Sequence, residues 1–178
     1  MKLTWFGGTT MRLHIGGQIL VLDPDGAPGG IDAAELVSGA DRVIAGQGAD
    51  LPAVELARWT PRRPGRLVDE DAAPQPVEAW SAGPGTVLIE AVGEPPLLLV
   101  SEAVPSLGRW AEAAVVVVSG EDGEQLARLA QAVLEDRPPR LLALASHEMA
   151  VDAAMPLLRD RLEGSGLVAL EAGLALEI

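Results

Sequence analysis

The alternation of apolar and polar residues marks the start of the chain as β structure. Short apolar segments separated by turn residues are typical of antiparallel strands, and we predict three of them at 3–6, 11–15 and 18–22. Gly16 and Gly17 fit a two-residue turn that joins the second and third strands. Residues 23–30 contain two prolines and three glycines, so this stretch is predicted to be a loop.

The remainder of the chain predicts strands that alternate with helices. Valine-rich and leucine-rich runs at 115–118 and 141–145 indicate strands that are buried on both faces. Apolar residues recur at helical spacing over 122–135 and over 150–162, where Pro156 must either kink the helix or mark its first turn. Further elements are predicted as follows: a short helix or turn at 31–37, strands at 42–45, 76–80, 86–92 and 97–101, and a closing hairpin of strands 167–170 and 174–178.

The segment that follows the strand at 42–45 is predicted to form one helix and then a long surface excursion. Asp50 is a residue type that caps helices, so a helix is expected from 51 to about 59. Residues 60–76 are rich in proline and charge and show no periodicity. Three arginines of this excursion are expected to be solvated: Arg62, Arg63 and Arg66.

Composition and charge exclude several classes of protein. The 178 residues are 48% hydrophobic but only 3% aromatic, so the core must be built mainly from aliphatic side chains. The formal charge of −13 opposes binding to nucleic acids and to anionic membranes. There is no cysteine, which excludes disulfides and thiolate metal sites. No signal peptide or membrane-spanning run is evident, and a cytoplasmic location is predicted.

The two ends of the chain and one central strand carry a family resemblance. The relevant segments are 1–7 (MKLTWFG), 11–13 (MRL), 19–24 (ILVLDP) and 170–178 (LEAGLALEI). They resemble the first three strands and the final hairpin of the metallo-β-lactamase superfamily, in particular small metal-dependent hydrolases similar to bacterial L-ascorbate-6-phosphate lactonase. Residues 97–103 stand where that family has its second metal-binding strand. The resemblance implies an α/β (α+β) fold, a trimmed four-layer αββα sandwich, formed by residues 1–178 as a single domain.

The principal metal-binding motif of that family is almost absent from this chain. The motif His-x-His-x-Asp-His should follow the strand at 42–45, where the sequence reads Gly-Gln-Gly-Ala-Asp-Leu. Only Asp50 matches the motif. Its three histidines are replaced by Gly46, Gly48 and Leu51.

The other metal ligands of the family are replaced as well. The histidine that normally follows the first strand corresponds to Gly8, and no histidine stands near Trp80, where another is expected. The bridging aspartate of the family corresponds to Glu102. The last ligand histidine corresponds to either Ser146 or His147, because a shift of one residue in the alignment decides between them.

This substitution pattern predicts that no catalytic metal is bound. A zinc or manganese hydrolase needs about three to five nitrogen or oxygen ligands, and glycine and leucine side chains supply none. Asp50, Glu102 and His147 could form one poor site at most. Each also has an ordinary role, since Asp50 and His147 are suited to cap helices and Glu102 to lie solvated in a loop.

We therefore predict a non-catalytic pseudoenzyme that acts as a binding or interaction domain for an unknown protein or small molecule. The alternative is a weak metal-dependent hydrolase, lactonase-like or esterase-like, that uses zinc or manganese with Asp50, Glu102 and His147. A third possibility is a structural partner in a homo-oligomer or hetero-oligomer. Trp59 and Trp80 flank the excursion and are expected to close over the vacated cleft.

Overall fold

The structure is a computed structural model that describes residues 1–63 and 76–178. The strands of the described residues are β1 (Lys2–Gly7), β2 (Thr10–Ile15), β3 (Gln18–Leu22), β4 (Arg42–Ile44), β5 (Glu78–Ser81), β6 (Thr86–Glu90), β7 (Leu97–Val100), β8 (Val115–Ser119), β9 (Leu141–Ala145), β10 (Gly166–Ala169) and β11 (Ala175–Glu177). The α-helices are α1 (Ala33–Val37), α2 (Gly123–Asp136) and α3 (Glu148–Leu158).

The strands form two mixed sheets, so the mixed α and β class predicted from the sequence is confirmed. The first sheet has the order β11-β1-β2-β3-β4, with only β3 and β4 parallel. The second sheet has the order β10-β9-β8-β7-β6-β5. Its strands β7 to β10 are parallel, whereas β5 and β6 are antiparallel to their neighbours.

The two sheets face each other across a shared apolar core. In β2, Met11, Leu13 and Ile15 are buried, while Arg12 and His14 between them face outwards and are more exposed. This period of two follows from the pleat, which sends successive side chains to opposite faces. The core also contains inward-facing residues of the second sheet: Val87, Ile89, Leu97, Leu99, Val115, Val117, Ala143 and Ala145.

The helices α2 and α3 cover the other face of the second sheet. Leu126, Ala130 and Val133 are fully buried at helical spacing and pack against the alternate residues of β8 and β9. Helix α2 begins where the Asp122 side chain accepts a hydrogen bond from the Gln125 N–H at 2.8 Å. Pro156 does not mark the first turn of α3, because it lies in the last turn of that helix.

The fourth layer of the expected sandwich is small. Only the five-residue α1 lies on the outer face of the first sheet within the described residues, where Arg12 donates hydrogen bonds to the Leu36 and Ser38 carbonyls.

The predicted turn at Gly16 and Gly17 is confirmed, because both residues have positive φ and β2 pairs with β3 on either side. Such a turn suits the twist of a hairpin.

The predicted closing hairpin is wrong. Strand β10 pairs in parallel with β9, while β11 pairs antiparallel with β1, so the two segments belong to different sheets. Consequently the terminal strands β1 and β11 are neighbours in one sheet. Gly173, at φ +80°, donates a hydrogen bond to the Trp5 carbonyl at 2.8 Å and turns the chain from one sheet towards the other.

The predicted helix at 51–59 is wrong as well. The backbone of Pro52, Ala53 and Val54 pairs with Ser81 at the edge of β5, with N–H···O distances of 2.9 and 3.0 Å. Proline favours extended structure before it, and the open edge strand supplies hydrogen-bond partners that a helix would forgo. Asp50 is therefore exposed and caps no helix.

The expected solvation of the three arginines holds for only one of the two that are described. Arg63 is exposed, whereas Arg62 forms an ion pair with the buried Glu90, at 2.6 Å between Nε and Oε2. Arg66 lies outside the described residues. Glu90 is 1% exposed, so burial of its carboxylate requires a cationic partner.

Candidate functional site

An open cavity of about 650 Å³ lies between the sheets at the edge where the parallel strands end. The second sheet contributes residues at the carboxyl ends of β7, β8 and β9. The first sheet contributes the β1–β2 turn and the loops after β3 and β4. Ligand sites of open α/β sheets lie at this carboxyl edge, because strand ends expose backbone groups and short loops there.

The floor of the cavity follows from the pleat of the second sheet. Val115 and Val117 face the inter-sheet core, so Ser119, two residues further along β8, faces the same side. Ser101 follows β7 and its hydroxyl donates to Oε1 of Gln47 at 2.8 Å. Ser119 is 7% exposed and lines the cavity, and its hydroxyl has no hydrogen-bond partner among the described residues.

Two loops of the first sheet approach the cavity in a left-handed backbone conformation. Asp23 has φ +46° and Gln47 has φ +53°, values that cost energy for residues with a side chain. The Asp23 carboxylate accepts a hydrogen bond from the Thr9 hydroxyl, and the Asp23 N–H donates to the Ile44 carbonyl at 2.7 Å. Such strained residues cluster at functional sites, where the surrounding structure holds them in place.

Both ring nitrogens of His147 are engaged by the backbone. Nδ1 accepts a hydrogen bond from the Ala150 N–H at 3.2 Å, which makes His147 the N-cap of α3 and confirms the predicted capping role. Nε2 lies 3.0 Å from the Glu121 carbonyl and donates to it in the tautomer that leaves Nδ1 free to accept. The neighbouring Ser146 is buried and donates to the Gly120 carbonyl at 2.7 Å.

Two carboxylates and two amides complete the rim of the cavity. Glu102 and Glu121 are both exposed and both line it. Gln125 ties their loops together, because its Oε1 accepts from the Glu121 N–H and its Nε2 donates to the Ser101 carbonyl. Glu102 and Gln47 also line an adjoining cavity of about 530 Å³, together with Asp23.

The structure brings together some of the residues that correspond to family ligands. Gly8, Glu102, Ser146 and His147 line the larger cavity, and Gly46 lines the adjoining one with Glu102. Room for a side chain exists at Gly8, where a Cβ would lie 3.5 Å from the nearest atom, the Gly26 carbonyl oxygen.

The other residues that correspond to family ligands line neither cavity. Gly48 is buried at φ +81°, and a Cβ there would lie 2.8 Å from the Val87 side chain. Leu51 packs against the core between the sheets. Asp50 lines neither cavity.

These side chains do not fit a zinc or manganese centre. Glu102 is the one carboxylate at a family ligand position that faces the cavity, and the nitrogens of His147 are already bonded. Among residues 1–63 and 76–178, no three histidine, aspartate or glutamate side chains converge as a metal site requires.

Sequence reasoning missed Ser119, Gln47 and Glu121. Ser119 ends a run of four valines that was recognised as a buried strand, and a polar residue at the carboxyl end of a parallel strand is a detectable signal. Gln47 lies between Gly46 and Gly48, and the sequence prediction for this segment considers only the two histidines that these glycines replace. The expectation for Trp59 and Trp80 is wrong, because they pack edge to face on the helix side of the second sheet.

Comparisons with known proteins do not identify a family. No protein-family model, curated protein or solved structure matches the chain. In the described part of the chain, none of the helices has the length and apolar character needed to cross a membrane.

Proposed function

We propose that this chain is a degenerate metallo-β-lactamase-like protein that keeps the cleft of that fold and uses it to bind a small molecule without a catalytic metal. The sheet arrangement supports the fold. Two mixed sheets pack face to face, and the segments that resemble the family at the two termini are neighbours in one sheet, as β1 and β11. Helices α2 and α3 cover one side and α1 covers part of the other.

The position of the cleft also supports the proposal. Gly8, Gly46, Glu102 and His147 are separated by up to 139 positions in the sequence, yet all line the two adjoining cavities. The family resemblance implies that these positions converge, and of the four only Glu102 lies in a segment that carries the resemblance. Their convergence at the carboxyl ends of parallel strands is the arrangement expected of a ligand site.

The proposed absence of a bound metal rests on the hydrogen bonds of His147. A metal ligand must offer a free nitrogen lone pair, but Nδ1 of His147 accepts from the Ala150 N–H and Nε2 donates to the Glu121 carbonyl. Coordination would therefore break the cap of α3. Three other ligand positions hold glycine, a fourth holds leucine, and Asp50 lines neither cavity. Glu102 therefore remains as a single donor, and one carboxylate does not hold zinc or manganese tightly.

Metal analysis of the full chain tests this proposal. The protein is purified without chelators and then dialysed against zinc or manganese, and we expect less than about 0.1 metal ion per chain. A Glu102→Ala variant serves as the matched control for binding at the cleft. About one metal ion per chain, lost on Glu102→Ala, would overturn the proposal and favour the weak hydrolase.

The partner, the oligomeric state and the cytoplasmic location stay predictions. No structural observation favours the hydrolase or the purely structural alternative. The cleft favours a small molecule over a protein partner, because it is concave and lined by polar groups that converge from five loops.

A further inference from the structure

The charged groups that line the two adjoining cavities are all acidic among the described residues. Glu121 lines the larger cavity, Asp23 the smaller one, and Glu102 both. No lysine or arginine of residues 1–63 and 76–178 lines either cavity. The net charge of −13 adds a negative field over the whole surface, so a cationic ligand is attracted and an anionic one repelled.

The helix N-termini beside the cleft do not reverse this preference. The ends of α2 and α3 would favour an anion if their first N–H groups were free. At α2, the Asp122 carboxylate accepts from the Gln125 N–H and places its negative charge at the helix N-terminus. At α3, the Ala150 N–H is taken by His147.

Ser119 is the second, independent sign of a ligand. The residue is 7% exposed and lines the floor of the cavity, and its hydroxyl has no partner among the described residues, whereas the hydroxyls of Ser101 and Ser146 on either side are satisfied by protein oxygens. Its Oγ is not one of the fully enclosed unpartnered atoms of the described residues, so the hydroxyl opens to the cavity, where water or a ligand can bond to it. Ser119 therefore offers one hydrogen-bonding position deep in the cleft, below the carboxylates of the rim.

The wall of the cleft adds an aromatic surface. Trp5 lines the larger cavity, and its Nε1 donates to the Gly8 carbonyl at 2.9 Å, which fixes the orientation of the indole. Trp5 is 6% exposed, so it offers a small apolar contact to the uncharged part of a ligand. A volume of about 650 Å³ lies within the range of pockets that hold metabolites and drug-sized molecules.

We infer that the cleft selects a metabolite-sized organic cation, an ammonium or guanidinium compound, whose charged end lies between Glu102 and Glu121 and whose uncharged polar end bonds to Ser119. This inference rests on the proposed function and specifies its ligand class. It excludes phosphate esters and carboxylates, which would lose hydration against two carboxylates without gaining a cationic partner.

Ligand-observed NMR titration of the full chain tests the inference with three probes that share a four-carbon skeleton and a hydroxyl at one end. They are 4-aminobutan-1-ol, butane-1,4-diol and 4-hydroxybutanoate, which are cationic, neutral and anionic at the other end. At about 20 mM salt we expect the amine to bind about tenfold more tightly than the anion, because screening is weak there. The preference should shrink at higher salt.

Variants locate the effect in the cleft. Glu102→Gln combined with Glu121→Gln should abolish the preference, whereas the control pair Glu35→Gln and Glu177→Gln removes the same charge outside both cavities and should retain it. Ser119→Ala should weaken the binding of the amine and of the diol, while the preference for the cation over the anion should remain.

Three results would overturn the inference: equal or tighter binding of 4-hydroxybutanoate, a preference that survives in the Glu102 and Glu121 variant, or no detectable binding of any probe. Tight binding of the anion would leave the proposed function standing, because the cleft would still bind a small molecule without metal. Stoichiometric zinc would remove the proposed function by a separate measurement.

Discussion

The ion pair between Arg62 and Glu90 allows a quantitative test of what stabilises this fold. Glu90 ends strand β6 and is 1% exposed. Its carboxylate accepts from the Arg62 side chain at 2.6 Å and from the Arg62 backbone N–H. The same guanidinium donates to the Pro76 carbonyl at 3.0 Å and lies 3.7 Å from the Glu78 carboxylate. Arg62 thus joins the start of the excursion to two strands of the second sheet.

Removal of the cation should be costly because the buried carboxylate stays behind. Loss of one partner of a buried pair typically costs about 3–5 kcal/mol. The Arg62 side chain is 31% exposed, so water can replace part of its contribution, and we expect Arg62→Met to lower the free energy of unfolding by about 2–3 kcal/mol. Replacing both partners, as in Arg62→Met with Glu90→Leu, should recover stability to within about 1 kcal/mol of the parent.

Urea unfolding followed by tryptophan fluorescence measures these changes in the free energy of unfolding. Trp59 and Trp80 pack against each other at the second sheet, to which Glu90 belongs and Arg62 binds. Arg58→Met is the matched control. Its ion pair with Glu55 involves side chains that are 82% and 63% exposed, so we expect a change of at most about 0.5 kcal/mol. The reasoning fails if Arg62→Met is as mild as Arg58→Met, or if the two changes at positions 62 and 90 are additive.

Four further predictions follow from individual residues and from charge. His147→Ala should destabilise by about 1 kcal/mol, as for a lost N-cap, and His147→Asn should recover most of it; equal losses in thermal unfolding would refute the capping role. Gly48→Ala should cost about 2–3 kcal/mol because of its positive φ and the close Val87 side chain, whereas Gly29→Ala, with open space around it, serves as a control. Glu102→Ala should change unfolding stability by less than about 0.5 kcal/mol, as for an exposed residue; a larger loss would imply a bound partner for its carboxylate. The chain should pass unretained through a heparin column at physiological salt, and retention would contradict the argument from its charge.

Local patterns predicted the strands and helices of this fold well. The valine run before Ser119 and the alternation in β2 gave strands whose ends lie within one residue of those observed. These signals depend on burial of neighbouring positions along one element, so a single sequence contains them. The same holds for α2, whose apolar stripe is local.

The errors occurred where partners are distant in sequence. Residues 167–170 and 174–178 have the spacing of a hairpin, but their partners are β9 and β1, and local spacing cannot reveal that choice. Arg62 and Glu90 are 28 positions apart, so their attraction leaves no periodic trace. The segment after Asp50 has a cap and helix-forming residues, yet pairing with Ser81 overrode that propensity.

The candidate site was predicted through metal ligands that are missing, and hydrogen bonds between other residues explain how the cleft keeps its shape. In a metal-dependent hydrolase of the family that the sequence resembles, the metal itself would cross-link the loops of the two sheets. Here the Ser101 hydroxyl bonds to Gln47 and thereby joins the second sheet to the loop after β4, while Gln125 connects the ends of β7 and β8.

Each neutral hydrogen bond of this kind is worth about 1 kcal/mol, far less than metal coordination, so the loops need support from the backbone. The left-handed residue Asp23 receives it through its N–H, which donates to the Ile44 carbonyl, and through its carbonyl, which accepts from the Thr10 hydroxyl. The proposed binding role requires a cleft that stays open, and these bonds between protein groups hold its loops together without a metal ion.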